Sequence, residues 1–328
     1  MTAPSGGPRV VSLIASGTEI VAGLGMARHL VGRSHSCDHP PGIRELPVLT
    51  EPKMDPSRAS GAIDRDVRTL VEEGLSVYRI DVDALARLRP DVIVTQDHCQ
   101  VCAVSLSDVE DALAALDLPG VEICSLQPTS LDDVRDDLGR VADALGVPER
   151  GRELREDVDR GLEAVRARTR GRGRPRVTLV EWLDPPMVAG HWMPELCRIA
   201  GGEPVRVTRP VLSPTVPWAE IASDDPDRVV VLPCGFDVPR SLEEMAAPAV
   251  SRGLASVEAV GEGRCTVVDG HAFMNRPGPR LVESARLLAT AIHPGAFPQW
   301  EEELAAYRAP GWRPPTPAAS EDPRRPAG

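Results

Sequence analysis

Apolar residues recur along the chain in two rhythms. Short β-branched runs, "RVVSLIAS", "RPDVIVTQDHC" and "VEICSLQP" in the first half, read as buried strands, and so do "RVTLVEWLD", "DPDRVVVLPCGFD" and "RCTVVDGHAF" in the second. Between these runs, apolar positions three and four apart predict helices over residues 18–26, 83–88, 107–116, 131–145 and 279–292. The same order of strands is thus written twice. The copies are separated by "GVPERGRELREDVDRGLEAVRARTRGRGRPR", in which Leu154, Val158, Leu162 and Val165 keep helical spacing among charges until glycines end it. That segment is expected to be one long, mostly exposed helix.

The pattern divides the chain into an amino-terminal lobe over 1–145, a linking helix over 146–172, a carboxy-terminal lobe over 173–298 and a tail over 299–328. The tail is dense in Pro, Ala and charge, buries too little apolar surface to offset ordering, and is expected to be disordered. Alternating strands and helices imply parallel sheets with right-handed crossovers. Ligands in such sheets bind beyond the carboxyl ends of the strands, and the chemically unusual residues sit there. The first half supplies Ser16, His35, Cys37, Asp97, His98, Cys99 and Cys102; the second supplies Glu181, Trp182, His191, Trp192, Cys234, Phe236, His271 and Arg276.

Charge narrows the partners. The formal net charge of -12 and the pI near 5.1 argue against nucleic acid or an anionic membrane, where a basic face is needed, and point to small ligands or protein partners. No apolar run approaches the roughly 20 residues of a membrane helix, and "VVSLIAS" is too short for a signal segment, so a cytoplasmic location is expected. Seven cysteines in a long chain of that kind read as reduced thiols.

Some of those thiols have ligand-like settings. In "TQDHCQVCAVS", Cys99 and Cys102 are spaced so that both sulfurs can reach one ion, while His98, His35, Cys37 and Cys234 are the candidates for its remaining ligands. A structural turn explains the same spacing, and redox chemistry lacks the surrounding pattern of a thioredoxin. In "GRSHSCDHP" a continuing strand would put His35 and Cys37 on one face, whereas Asp38 before two prolines fits a plain turn. Gly235 beside Cys234 allows close backbone approach, and Cys124, Cys197 and Cys265 lie in apolar contexts assigned to core. Trp182 and Trp192 can stack on a flat ligand or cover an apolar edge. His191 can coordinate or donate, and Arg276 can meet an anion or cap the last helix. No phosphate-binding glycine motif is present in the sequence.

The order "LIASGTEIVAGLG", "LVGRSHSCDHPPGIRELPVLTEPKMDP", "LARLRPDVIVTQ", the long helix, "VPWAEI", "DPDRVVVLP" and "VVDGHAFMNRPGPRLVESARLLATAIHP" resembles the helical-backbone, or class III, periplasmic binding proteins. Within them it is most similar to the branch that binds cobalamin and iron complexes. The resemblance runs from about Arg9 to about Pro294. It implies two Rossmann-like α/β lobes of the chelatase-like type, joined by a rigid helix, with a ligand between them. It also implies acidic residues docking on a membrane permease, a surface for which Glu19 comes into question. The segment "SRASGAIDRDVRTLVEEGLSVYRID" is additional to that pattern, and Cys and His stand where transport members generally carry aromatic and small polar residues.

The expected function is a cytosolic binding protein that holds a metal ion (Zn, Fe, Co or Cu) or a corrinoid between the lobes through Cys and His. The alternatives are a metal-dependent enzyme with Asp97 or Glu181 as base, and the solute-binding component of an ABC transporter that works with a permease.

Overall fold

The computed structural model describes residues 6–97, 104, 106–116, 118 and 120–314. The first lobe runs β1 (Val10–Ser12), α1 (Ala15–Gly23), β2 (Leu30–Arg33), β3 (Thr50–Pro52), α2 (Ser60–Glu72), β4 (Tyr78–Ile80), α3 (Val82–Leu88), β5 (Val92–Gln96), α4 (Leu106–Ala115), β6 (Glu122–Leu126) and α5 (Leu131–Ala144). Helix α6 (Pro148–Thr169) follows. The second lobe runs β7 (Arg176–Leu183), β8 (Pro186–Val188), α7 (Met193–Ile199), β9 (Glu203–Pro204), α8 (Trp218–Ser223), β10 (Arg228–Val231), α9 (Val238–Met245), α10 (Pro248–Ala255), α11 (Glu258–Gly261), β11 (Cys265–Val268), α12 (Leu281–Ile292), α13 (Pro298–Glu303) and β12 (Arg308–Pro310).

The repeat read from the sequence is present in space. The first sheet is ordered β2-β1-β5-β6, all parallel, and the second carries β7, β10 and β11 in the positions of β1, β5 and β6. Even a polar detail repeats. The aspartate of each proline-aspartate step accepts the backbone N–H of the arginine before or at the start of the lobe's first strand, Asp91 from Arg9 and Asp227 from Arg176, each at 2.7 Å.

Strand alternation splits the core into layers. Val10, Val92, Val94 and Val230 face a central core that continues from one lobe to the other beneath α6, while Val11 and Ile93, and Val229 and Val231, face separate outer cores. Helix α6 enters on Pro148, whose missing N–H suits the first turn. It buries Val158, Leu162 and Val165 against that central core and leaves its charged face in water. Two glycines seat it closely. A Cβ on Gly151 would lie 2.5 Å from the Ala142 Cβ, and one on Gly161 would lie 2.6 Å from Val282, so α5 and α12 reach the backbone of α6 directly.

The carboxy-terminal stretch departs from expectation. Residues 299–314 are not a disordered tail: α13 buries Trp300, which stacks on Phe297 with ring centres 4.7 Å apart, and β12 pairs antiparallel with β11, while residues 315–328 of the expected tail lie outside the described residues. Pro310 is tolerated in β12 because it is an edge strand.

Candidate functional site

The loops beyond the strand ends of the two lobes meet along two seams. At the floor, Arg276 of the second lobe is nearly fully buried and reaches into the first. Its Nη1 donates to Glu19 Oε1 at 3.0 Å and to Asp38 Oδ1 at 2.6 Å, its Nη2 donates to the Ser36 carbonyl at 3.3 Å, and its Nε donates to the His271 carbonyl at 2.6 Å. Arg280 Nη1 gives Glu19 Oε1 a second charged bond at 3.0 Å. Beside them His271 Nε2 lies 3.2 Å from Asp38 Oδ2. The two carboxylates respond in opposite directions. Burial pushes Glu19 up, beyond what Arg280 and Arg276 pull back, whereas at Asp38 the bonds from His271 and Arg276 outweigh burial and hold the carboxyl far below its usual range.

At the front, the additional segment supplies α2 and β4, β4 pairs antiparallel with the preceding β3, and this unit crosses to the second lobe. Ile63, Val67 and Val77 pack on Phe236, with Met54, Tyr78 and Trp182 around them. Phe236 and Trp182 have ring centres 5.3 Å apart. A carboxylate of the second lobe caps α2: Glu244 Oε1 accepts the Ser60 N–H at 2.7 Å and the Ser60 hydroxyl at 2.6 Å. Arg240 holds Glu244 Oε2 at 3.1 Å and donates to the Arg58 carbonyl at 2.8 Å.

The expected site residues are distributed unevenly between these seams. His35 stands exposed in a turn after β2, its Nδ1 2.8 Å from Thr50 Oγ1 and its ring stacked on Tyr78 at 5.2 Å. The strand ends at Arg33, so His35 and Cys37 do not share a face. Cys37 points inward, fully buried, where Thr18 and Ser34 hydroxyls reach its sulfur at 2.9 and 3.1 Å, and burial raises its pKa. A protonated thiol in that setting is a small core residue. Cys234 is a half-buried free thiol, and Cys124, Cys197 and Cys265 are buried as expected. His98, Cys99 and Cys102 lie outside the described residues, and among the described residues no three His, Cys, Asp or Glu side chains gather to hold a metal ion.

Of the expected ligand contacts, Trp182 and Phe236 face each other but are covered by α2, and Arg276 is held by Glu19 and Asp38. Trp192 is 5% exposed within the central core, so its ring offers no open face. Ser16 is buried in the first turn of α1, and half-buried His191 has a left-handed φ of 50°. Asp97 receives the Gln127 side-chain amide at 3.5 Å, and the Glu181 carbonyl accepts the Cys234 N–H at 3.0 Å. Glu19 is 2% exposed, so it cannot dock on a permease. The sequence reading set His271 among the residues at the strand ends and Asp38 in a turn without pairing them, and it missed Glu244. A proline-flanked aspartate in a loop already rich in His was the available signal for that pairing.

Two α/β lobes fixed by one helix, with side chains from both meeting beyond the strand ends, define a two-lobed ligand-binding protein. The chain belongs to the periplasmic binding protein family, whose profile matches residues 10–271. It is similar to the vitamin B12-binding protein of Yersinia pestis, with 25% identity over 283 residues that span 85% of this chain and 84% of that protein. Among solved structures, a periplasmic haem-binding protein of Pseudomonas aeruginosa superposes with a TM-score of 0.65 at 20% identity, covering 88% of this chain and 94% of that one. The periplasmic vitamin B12-binding protein of Vibrio cholerae superposes with a TM-score of 0.60 at 19% identity, covering 87% and 96%. Among the described residues no helix is long and apolar enough to cross a membrane.

Proposed function

We propose that this protein is the solute-binding component of an ABC-type importer and that its cargo is a tetrapyrrole metal complex, a corrinoid or a haem. The observation that carries this reading is the match to vitamin B12-binding proteins along 85% of the chain, through both lobes and the helix between them. A tetrapyrrole is a flat apolar plate with a polar rim and a metal at its centre. Side chains along the two seams offer matching chemistry: the stacked pair His35 and Tyr78 at the front, and at the floor the imidazole of His271 and the partly exposed guanidinium of Arg280. Among the described residues no three protein ligands gather, and a metal complex does not require them, because the macrocycle fills the equatorial positions itself.

Titrating the purified protein with cyanocobalamin, diaquocobinamide and haemin, read by visible absorbance, tests the proposal. Saturable one-to-one binding of at least one of them at micromolar affinity or tighter is expected, corresponding to about -8 kcal/mol or better. Failure of all three to bind overturns it. Capture ahead of a permease takes place outside the cytoplasmic membrane, and fractionation of cells producing the full gene product tests that location.

A further inference from the structure

We propose that α2 is a lid over the mouth of the interlobe cleft, and that cargo enters and leaves only while this helix is lifted off Phe236 and Trp182. The assignment rests on the solute-binding reading above and does not depend on which tetrapyrrole is carried.

A ligand in this architecture lies beyond the carboxyl ends of the strands. Helix α2 and the β3–β4 pair that carries it stand over the ends of β2, β7 and β10. Tyr78, the first residue of β4, stacks on His35 in the turn after β2, the loop that also holds Asp38 of the floor. Trp182 near the end of β7 lies in the apolar cluster beneath α2, and Asp184 just beyond it meets the helix backbone: a Cβ on Gly61 would press into the Asp184 carboxylate. Phe236, after β10, is 6% exposed under Ile63 and Val67. Its carbonyl accepts the N–H groups of Gly270 and His271, each at 3.1 Å, so the residue that α2 covers is tied directly to the loop after β11. The helix thus spans the opening between the two seams rather than the outside of either lobe.

The hold on the helix is local. Ile63, Val67, Val77 and Phe236 form a small cluster separate from the central and outer cores. The polar hold at its amino end is the Glu244 carboxylate on Ser60, with Arg240 reaching the Arg58 carbonyl. Strands β3 and β4 form a two-stranded sheet of their own, outside the two larger sheets, so lifting α2 leaves both lobe sheets intact. Residues 55–59 before the helix and 71–75 at its end are exposed, and Gly74 there has a left-handed φ of 70°. Such connections absorb the dihedral changes of a hinge. A helix held by one small apolar cluster and one cap opens without global unfolding. Once it is lifted, Trp182 and Phe236, with ring centres 5.3 Å apart, are open to a flat ligand.

A reversible lock tests the lid. A Cβ on Gly61 would lie 3.5 Å from the Asp184 Cβ, a separation that suits a disulfide. The full-length double variant Gly61→Cys, Asp184→Cys is therefore oxidised with copper phenanthroline and released with dithiothreitol. Association with haemin, cyanocobalamin and diaquocobinamide is followed by visible absorbance. The reduced variant is expected to bind at least as fast as the unmodified protein, the oxidised one slower by about tenfold or more, and dithiothreitol to restore the rate. Each single variant under the same oxidant controls for the protein's own cysteines. Glu244→Ala, which frees the amino end of α2, is expected to speed association. Equal rates in the oxidised and reduced forms overturn the lid; if the double variant loses its thermal transition, an unchanged rate in Glu244→Ala overturns it instead. Hydrogen exchange gives a readout without cargo: in the unmodified protein, amides of α2 should exchange well before those of β1, β5, β7 and β10. Protection of α2 equal to that of those strands overturns the lid whatever binds. Early exchange of α2 with none of the three complexes bound keeps the lid and overturns the tetrapyrrole reading alone.

Discussion

The two lobes are joined at two seams made of opposite materials. The floor is a chain of charges, Glu19 and Asp38 against Arg276 and Arg280, with Glu19 and Arg276 removed almost wholly from water. The front is apolar, Ile63, Val67 and Val77 on Phe236, with one capping carboxylate at its edge. Buried charges specify geometry, because each group has a required partner at a required distance, whereas apolar contact stabilises in proportion to area and tolerates sliding. The floor therefore fixes how the lobes face each other. The front, supplied by a segment additional to the family pattern, closes over it.

Removing Arg276 should have the largest effect. Arg276→Ala leaves Glu19 with Arg280 alone, takes from Asp38 its closest cation, and is expected to destabilise the protein by about 3–5 kcal/mol in urea unfolding. A loss below about 1 kcal/mol would mean that the charges are solvated and that the contrast between the seams is unfounded.

Phe236→Ala comes next, with an expected cost of about 3 kcal/mol for an aromatic truncated beneath a helix. The more discriminating readout is hydrogen exchange. Amides of α2 should exchange faster while those of β1, β5, β7 and β10 keep their protection, since the segment can leave without unfolding either sheet. Uniform acceleration across the molecule would show that the front seam is part of the global core and would break the comparison.

These two seams were not equally legible in the sequence. The paired sheets and the linking helix could be read because strand alternation, proline-aspartate steps and helical spacing are local patterns. The front seam could not, since the partner of Ile63 and Val67 is Phe236, far along the chain, and period alone says that a helix has an apolar face without saying what covers it. The same limit applies at the floor. Arg276 stood out as a candidate for an anion, but its anions, Glu19 and Asp38, belong to the other lobe and become partners only through tertiary placement. Composition misread residues 299–314 for a different reason: proline content excludes a central strand but not an edge strand, and one buried tryptophan anchors the rest.

Acid should separate the seams without any truncation. The folded-state pKa of Asp38 is depressed, so its contribution is present above its unfolded value of about 4 and is lost as pH falls below that. Glu19 is raised and works in the opposite sense, its contribution being full below its unfolded value and fading as pH rises through the folded one. Urea unfolding between pH 3 and 7 should show stability declining below about pH 4, and Asp38→Asn should flatten that decline. Phe236→Ala should shift the whole curve without changing its slope, because the apolar contact contains no titrating group. Equal slopes in the unmodified protein and Asp38→Asn would remove Asp38 from the floor's energetics.

The smallest effect is expected where the seams' materials mix, at the cap of α2. Ser60→Ala removes the hydroxyl bond to Glu244 and leaves the backbone N–H at 2.7 Å and Arg240 at 3.1 Å on the same carboxylate. The loss should be about 1 kcal/mol, that of one charge-assisted cap whose acceptor keeps other donors. Glu244→Ala withdraws the acceptor from both Ser60 donors and from Arg240, so it should cost about twice as much and also speed exchange in the first turn of α2. If Ser60→Ala proves as damaging as Phe236→Ala, the helix is held to the second lobe by its cap rather than by its apolar face, and the front seam would then resemble the floor.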